Sequence, residues 1–386
     1  MLSRPDGTNG PCPRSISGGT RRSTRNCQQS RMLSNLHRVV VITGGSSGIG
    51  RSTGVLFARR GWRVGLIARG RQGLCESAHD IVAAGSCVAT AVADVTDGEA
   101  LSEAAAAIME QLGPIDVWIN CAGNGVYGRF DDVPEKDFRR VTDVTYHGTV
   151  NGTRVALANM RKRSQGAIIN VCSAAAFHGL PLMSSYSGAK AAVRAFGEAV
   201  RAELKLERSR IRLRSIFPPA VNTPFFSHAI SYMGWPARPV GPVYQPEVIA
   251  EGIWLAVQYG KADTVLSGTA AAFSLACRIS PTLIAWCMGK LKFECQATRD
   301  QGAYDLLEPT VHVASERALG PRGPFNAYAR KWSAHVWMKA LSAAAFRLSA
   351  FRHRTSQLPD AALPPTPDLQ APHQERADLA LQFGDS

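Results

Sequence analysis

The residues with the clearest chemical potential lie between positions 173 and 190. Tyr186 and Lys190 stand four apart in the run Tyr186-Ser187-Gly188-Ala189-Lys190, so in a helix they share one face. An ammonium beside a phenol favours the phenolate and lowers its pKa, as a proton donor and acceptor near neutral pH requires. Such a pair is common on helix surfaces and means little alone. Ser173 adds to it, coming directly after an apolar run, Ala167 to Cys172, that reads as a strand. A hydroxyl at the carboxyl end of a strand faces the crevice in which open α/β sheets bind their ligands.

A second constellation lies near the start, in the run VVVITGGSSGIG from Val39 to Gly50. Val39 to Ile42 predict a short strand buried on both faces, ended by Thr43. Glycines follow at 44, 48 and 50, and Arg51 to Arg60 reads as a helix. A strand passing through a Gly-rich turn into a helix N-terminus is an anion site, because backbone N–H groups and the positive helix end converge there. Glycine lets a pyrophosphate come close, and the strand-turn-helix context favours a dinucleotide over a plain tight turn.

The elements between these two sites alternate. Strands are predicted at Arg63 to Ala68, Cys87 to Ala93, Ile115 to Ile119, Ala167 to Cys172 and Ile211 to Phe217. Helices are predicted at Leu74 to Ala84, Glu99 to Leu112, Pro134 to Arg163 and Ser184 to Glu207. A further helix, Pro246 to Tyr259, and a short strand near Thr264 to Leu266 would complete the set. Apolar strands separated by helices of ten or more residues mean an α/β fold, a doubly wound parallel sheet covered on both faces. The ligand crevice then lies at the strands' carboxyl ends. The stretch from Pro218 to Gln245 is too long and too aromatic for a simple connection and reads as a lid or binding loop.

With these segments in order, the sequence resembles the short-chain dehydrogenase/reductase family over about residues 38–267. Thr43–Gly50 (TGGSSGIG), Asn120–Gly123 (NCAG), Ser173 and Tyr186–Lys190 (YSGAK) fall in the family's order and spacing. The resemblance implies a Rossmann fold and an oxidoreductase that moves a hydride between a nicotinamide and a carbonyl or alcohol carbon. Tyr186 would be the acid/base, Lys190 would hold the nicotinamide ribose, and Ser173 would hydrogen-bond the substrate oxygen. Gly44, Ser46, Ser47, Gly48, Ile49 and Gly50 would form the cofactor turn. Asp94 and Val95 would meet the adenine. Asn120, Ala122 and Gly123 would sit by the adenine ribose and the sheet, and Thr223 would meet the carboxamide side. One departure stands out. Where the family carries an asparagine in the long helix, supporting a kink that binds a water of the proton relay, this chain has Thr145. A threonine hydroxyl can bond a carbonyl one turn back or a water. His147 nearby reads as packing or surface.

Cofactor choice turns on the residue after the second strand, where a carboxylate suits the ribose 2′-hydroxyl of NAD and an arginine the 2′-phosphate of NADP. Ala68-Arg69 stands there and no acid follows until Glu76, so NADP(H) is expected. The substrate is expected to be a small carbonyl or alcohol compound, apolar in view of the aromatic loop.

The flanks are less informative. Residues 1–37 are rich in Arg, Ser, Gly and Pro and read as a disordered extension, or as sequence upstream of a true start at Met32. Residues 268–354 read as a partly helical extension, with an amphipathic helix over 326–350 that could lie on a membrane surface, and 355–386 as a disordered tail. Ser267 to Met288 is apolar but interrupted by Arg278 and Pro281, which argues against a membrane span. The net charge is +14, yet residues 1–38 alone carry seven Arg against one Asp, and no basic patch interleaves with aromatics, so nucleic-acid binding is not expected. Nine scattered cysteines form no metal-like cluster. They suggest reduced thiols and a cytoplasmic setting, with no metal. A homo-oligomer is expected. The rival to the enzyme reading is a catalytically weak cofactor-binding regulator of the same fold, and Thr145 alone speaks for it.

Overall fold

The structure is a computed structural model that describes residues 38–340 apart from Lys261, Leu291, Lys292, Leu306, Glu316, Ala318 and Lys339. The N-terminal extension over 1–37, the tail over 355–386 and the last part of the extension before it lie outside the described residues.

The chain opens with β1 (Val39–Thr43), all five residues buried, because helices cover both faces of a central strand. It continues through α1 (Gly48–Arg59), β2 (Arg63–Ala68), α2 (Arg71–Ala83), β3 (Val88–Val92), α3 (Gly98–Leu112) and β4 (Ile115–Asn120). After a two-residue strand, β5 (Val126–Tyr127), come α4 (Glu135–Thr142) and α5 (Gly148–Arg161). Then follow β6 (Gly166–Val171), α6 (Ser184–Leu206) and β7 (Ile211–Phe217). The remaining elements are α7 (Phe225–His228), β8 (Ile230–Ser231), α8 (Pro246–Tyr259), β9 (Asp263–Val265), α9 (Gly268–Ile279), α10 (Pro281–Lys290) and α11 (Gln301–Asp305). Seven strands form one parallel sheet in the order β3-β2-β1-β4-β6-β7-β9. The order reverses beside β1, and there the carboxyl ends of β1 and β4 leave the crevice.

One apolar cluster covers each face. On one side Phe57 of α1, Trp62 and Trp254 of α8 meet edge to face, with centroids 5.1–6.0 Å apart. On the other, fully buried Trp118 packs with Ile108, Ala156 and Met160.

Three expectations are corrected. The region from Pro134 to Arg163 is not one regular helix, because a π turn at Asp143–His147 separates α4 from α5. The amphipathic helix over 326–350 is not helical at its start. Asn326 bonds Asn222 and Gln245, the Arg330 backbone pairs with Val243 and Gln245, and the Ser333 hydroxyl donates to the Leu266 carbonyl. These bonds hold residues 326–333 in irregular chain, and helix begins only at Ala334. Finally, the thiols are not all reduced: Cys75 and Cys87 are disulfide-bonded, since folding brings α2 and β3 together. That removes part of the case for a cytoplasmic setting. Among the described residues no single helix is long and apolar enough to cross a membrane.

Candidate active site

The turn after β1 is shaped by its glycines. Gly44 takes φ +70° and Gly48 φ +53°, left-handed values that side chains resist. A Cβ on Gly50 would fall 2.2 Å from the Gly44 carbonyl oxygen, so the turn closes only with glycine there. Gly44 and the residues from Ser46 to Gly50 line one end of a cavity of about 560 Å³, large enough for an extended ligand. Arg69, Asp94 and Val95 lie at that end, and Ala122, Gly123 and Thr223 border it. The cradle of glycine backbone and helix N-terminus suits the pyrophosphate of a dinucleotide.

Ser173, Tyr186 and Lys190 line the same cavity. Ser173 leaves β6 in extended geometry, and its hydroxyl accepts from the Ala175 N–H at 3.1 Å. Tyr186 and Lys190 lie on α6, the Lys190 Nζ 5.7 Å from the centre of the Tyr186 ring. Lys190 is buried and donates to the Val171 carbonyl at 2.7 Å. Electrostatics depart from the sequence expectation here. Burial pushes the Tyr186 phenol well above its ordinary value, and the Ser173 hydrogen bond offsets only part of that. Burial also lowers Lys190. Desolvation prevails, so the phenol holds its proton at neutral pH. Cys121 and Cys172 are pushed up by burial to about 12 and about 11, and neither offers a thiolate. Among the described residues no group of three or more His, Cys, Asp or Glu could hold a metal.

Two expected site residues do not line the cavity. Asn120 is buried behind it, accepting from the Trp118 indole at 2.7 Å and donating to Thr153 and Asn170. Its side chain lies inside the sheet, one of the two places that the resemblance implied for it. Thr145 is fully buried in the π turn, and its hydroxyl has no hydrogen-bond partner among the described residues. It does face the site from behind: a Cβ on Gly123 would lie 3.9 Å from Thr145 Oγ1 and 3.8 Å from Lys190 Nζ. His147 is exposed beside Tyr146.

Other contributors carried no sequence signal. The described residues between Glu308 and Gly323 fold back along the glycine-turn end of the cavity as a strap. Arg69 donates to the carbonyls of Thr310, Val311 and His312, the first at 2.6 Å, and lies 3.9 Å from Asp94. Arg140 bonds the Val311 carbonyl and pairs with the Asp94 carboxylate. Burial raises the Asp94 carboxyl, but the Arg140 and Thr96 bonds prevail and hold it low. The His312 ring meets buried Asp137 at 2.6 Å, and the Gly320 carbonyl reaches the Gly48 N–H at 3.5 Å. Thr310, Ser315 and Arg317 line the cavity. Irregular chain without a motif has nothing by which to announce such a role. The loop from Pro218 to Gln245 packs its Phe225 against Tyr186, ring centres 5.3 Å apart, and its Phe226 also borders the cavity.

The profile of the short chain dehydrogenase family matches residues 38–231, and the chain belongs to that family. It is 33% identical over 261 residues to the uncharacterized oxidoreductase YxnA of Bacillus subtilis, covering 67% of this chain and 73% of that one. It is also 33% identical over 196 residues to the 3-dehydrosphinganine reductase of Danio rerio, covering 49% of this chain and 58% of that one. An actinorhodin polyketide ketoreductase solved with NADPH superposes with a TM-score of 0.55 at 25% identity, over 60% of this chain and 96% of that one.

Proposed function

We propose that the protein is an NADP(H)-dependent oxidoreductase that reduces the carbonyl group of an apolar substrate. The observation that carries this reading is the meeting of Ser173, Tyr186 and Lys190 in one cavity whose other end is the glycine turn and Arg69. A reduced nicotinamide, when bound, supplies the hydride. Ser173 and Tyr186 would hold the carbonyl oxygen, and Tyr186, protonated at neutral pH, would give that oxygen its proton. Lys190 would anchor the ribose and favour the phenolate left behind. Phe225 and Phe226 make the wall beside Tyr186 apolar, which supports a hydrocarbon-rich substrate. A relative is a 3-dehydrosphinganine reductase, which agrees with that chemistry. Arg69 supports NADP(H), and Arg317 from the strap adds another guanidinium to the lining.

The test is a panel of ketones and aldehydes followed by NADPH absorbance at several pH values. Tyr186→Phe should lose turnover by about two to four orders of magnitude while still binding NADPH. Since the phenol is raised, reduction should hold steady through neutral pH and fall only as alkali removes the Tyr186 proton. No turnover on any carbonyl, or turnover indifferent to Tyr186→Phe, would sink the reading.

A further inference from the structure

α9 and α10 form a bent pair, turning by 119° at Ser280. α10, with Pro281, Leu283, Ile284, Ala285, Trp286, Cys287 and Met288 in ten residues, buries none of them. A short helix holds its shape through packing of an apolar face, and this one has that face turned outward. Ile279 is 75% exposed, Trp286 62%, Leu275 58% and Leu283 55%. The inner side is engaged: Thr269, Ala270, Phe273 and Met288 line the catalytic cavity.

We propose that this helix pair docks the protein on an anionic membrane surface, lying in the plane of the lipid headgroups. Length rules out a span by either helix: 12 and 10 residues rise about 18 and 15 Å, against about 30 Å of hydrocarbon. The sharp bend suits two short helices lying side-on. Charge selects the occupant. From Gly268 to Lys290 the only charged residues are Arg278 and Lys290, with no carboxylate. Two copies meeting through this face about a two-fold axis would bring cations together unpaired, whereas anionic lipid satisfies both. Lys290 lies over the Trp286 ring, Nζ 5.5 Å from its centre, joining an interfacial aromatic to a headgroup-seeking cation. Because the inner face borders the cavity, docking would place the catalytic cleft beside the lipid, where an apolar substrate resides. That last step alone rests on the proposed function.

The experiment is sedimentation of the full chain with vesicles of phosphatidylcholine, with and without about one third phosphatidylserine. Preferential binding to the anionic vesicles, weakened by about 0.5 M salt, is expected. The Leu283→Glu/Trp286→Glu pair should lower it at least tenfold with thermal melting and NADPH binding unchanged. Lys290→Glu, a single surface change, should reduce binding to anionic vesicles and leave that to neutral ones unaltered. The proposal is overturned if the parent stays in the supernatant, if the variants bind as it does, or if a dimer dissociates in the double variant. Vesicle binding is read without turnover, so it stands or falls separately from the enzyme assay.

Discussion

Thr145 stands where the family carries asparagine, and its surroundings make its role testable. The π turn around it, Asp143–His147, keeps the local break in the helix. Its hydroxyl is buried without a partner among the described residues, which costs stability in the folded protein unless something polar reaches it. Thr145→Val keeps the shape and removes the hydroxyl. The melting temperature should therefore stay level or rise slightly, while kcat for carbonyl reduction falls about tenfold if the hydroxyl relays protons behind Lys190. An unchanged kcat would make Thr145 a packing residue. At Tyr186 the helical spacing correctly places the lysine beside the phenol, yet the direction of the pKa shift follows from burial, and burial depends on what the loop from Pro218 to Gln245 lays over the ring.

Among the elements, the strap covers the glycine-turn end of the cavity. Its anchor is Asp137 on α4, which accepts from the Tyr232 hydroxyl and meets the His312 ring. Burial would raise the Asp137 carboxyl, but those bonds outweigh it and hold it below the usual carboxylate range. A lowered carboxyl stabilises its contacts above the ordinary value and loses them as pH falls through the lowered one. His312→Ala should therefore raise the NADPH dissociation rate about three- to tenfold near neutral pH, measured by stopped-flow fluorescence, with little change in the chemical step. In the parent protein the same rise should appear only in acid. A rate indifferent to the substitution would mean that the strap does not gate the cofactor. The sheet was legible because period, length and punctuation are local properties: β2, β7 and α8 have the limits that the sequence predicts. The strap was not legible, because its bonds to Arg140 and Arg69 join residues 171 and 241 positions apart.

At the scale of the whole molecule, the polar network under the sheet matters as much as the cleft. Asn120 ties β4 to α5 and β6 through Trp118, Thr153 and Asn170. Asn120→Ala would leave buried groups unpaired, costing about 1–3 kcal/mol. The melting temperature should drop by about 2–4 °C for each of those kcal/mol, measured by calorimetry. The NADPH Michaelis constant should stay within about twofold of the parent, because the side chain lies behind the cavity. A large rise in that constant without a loss of stability would return Asn120 to the ribose.

Sequence alone determined the parallel sheet, the glycine turn and the joint presence of Ser173, Tyr186 and Lys190. Each depends on backbone conformation or on spacing within one element, and a turn that tolerates only glycine at position 50 is written in a few consecutive residues. Only the tertiary structure decided which partners Asn120 takes within the sheet, that α10 turns its apolar face outward, and that residues near 310 close over Arg69. Those outcomes depend on desolvation and on long-range packing, which place a side chain among neighbours that its local sequence does not specify.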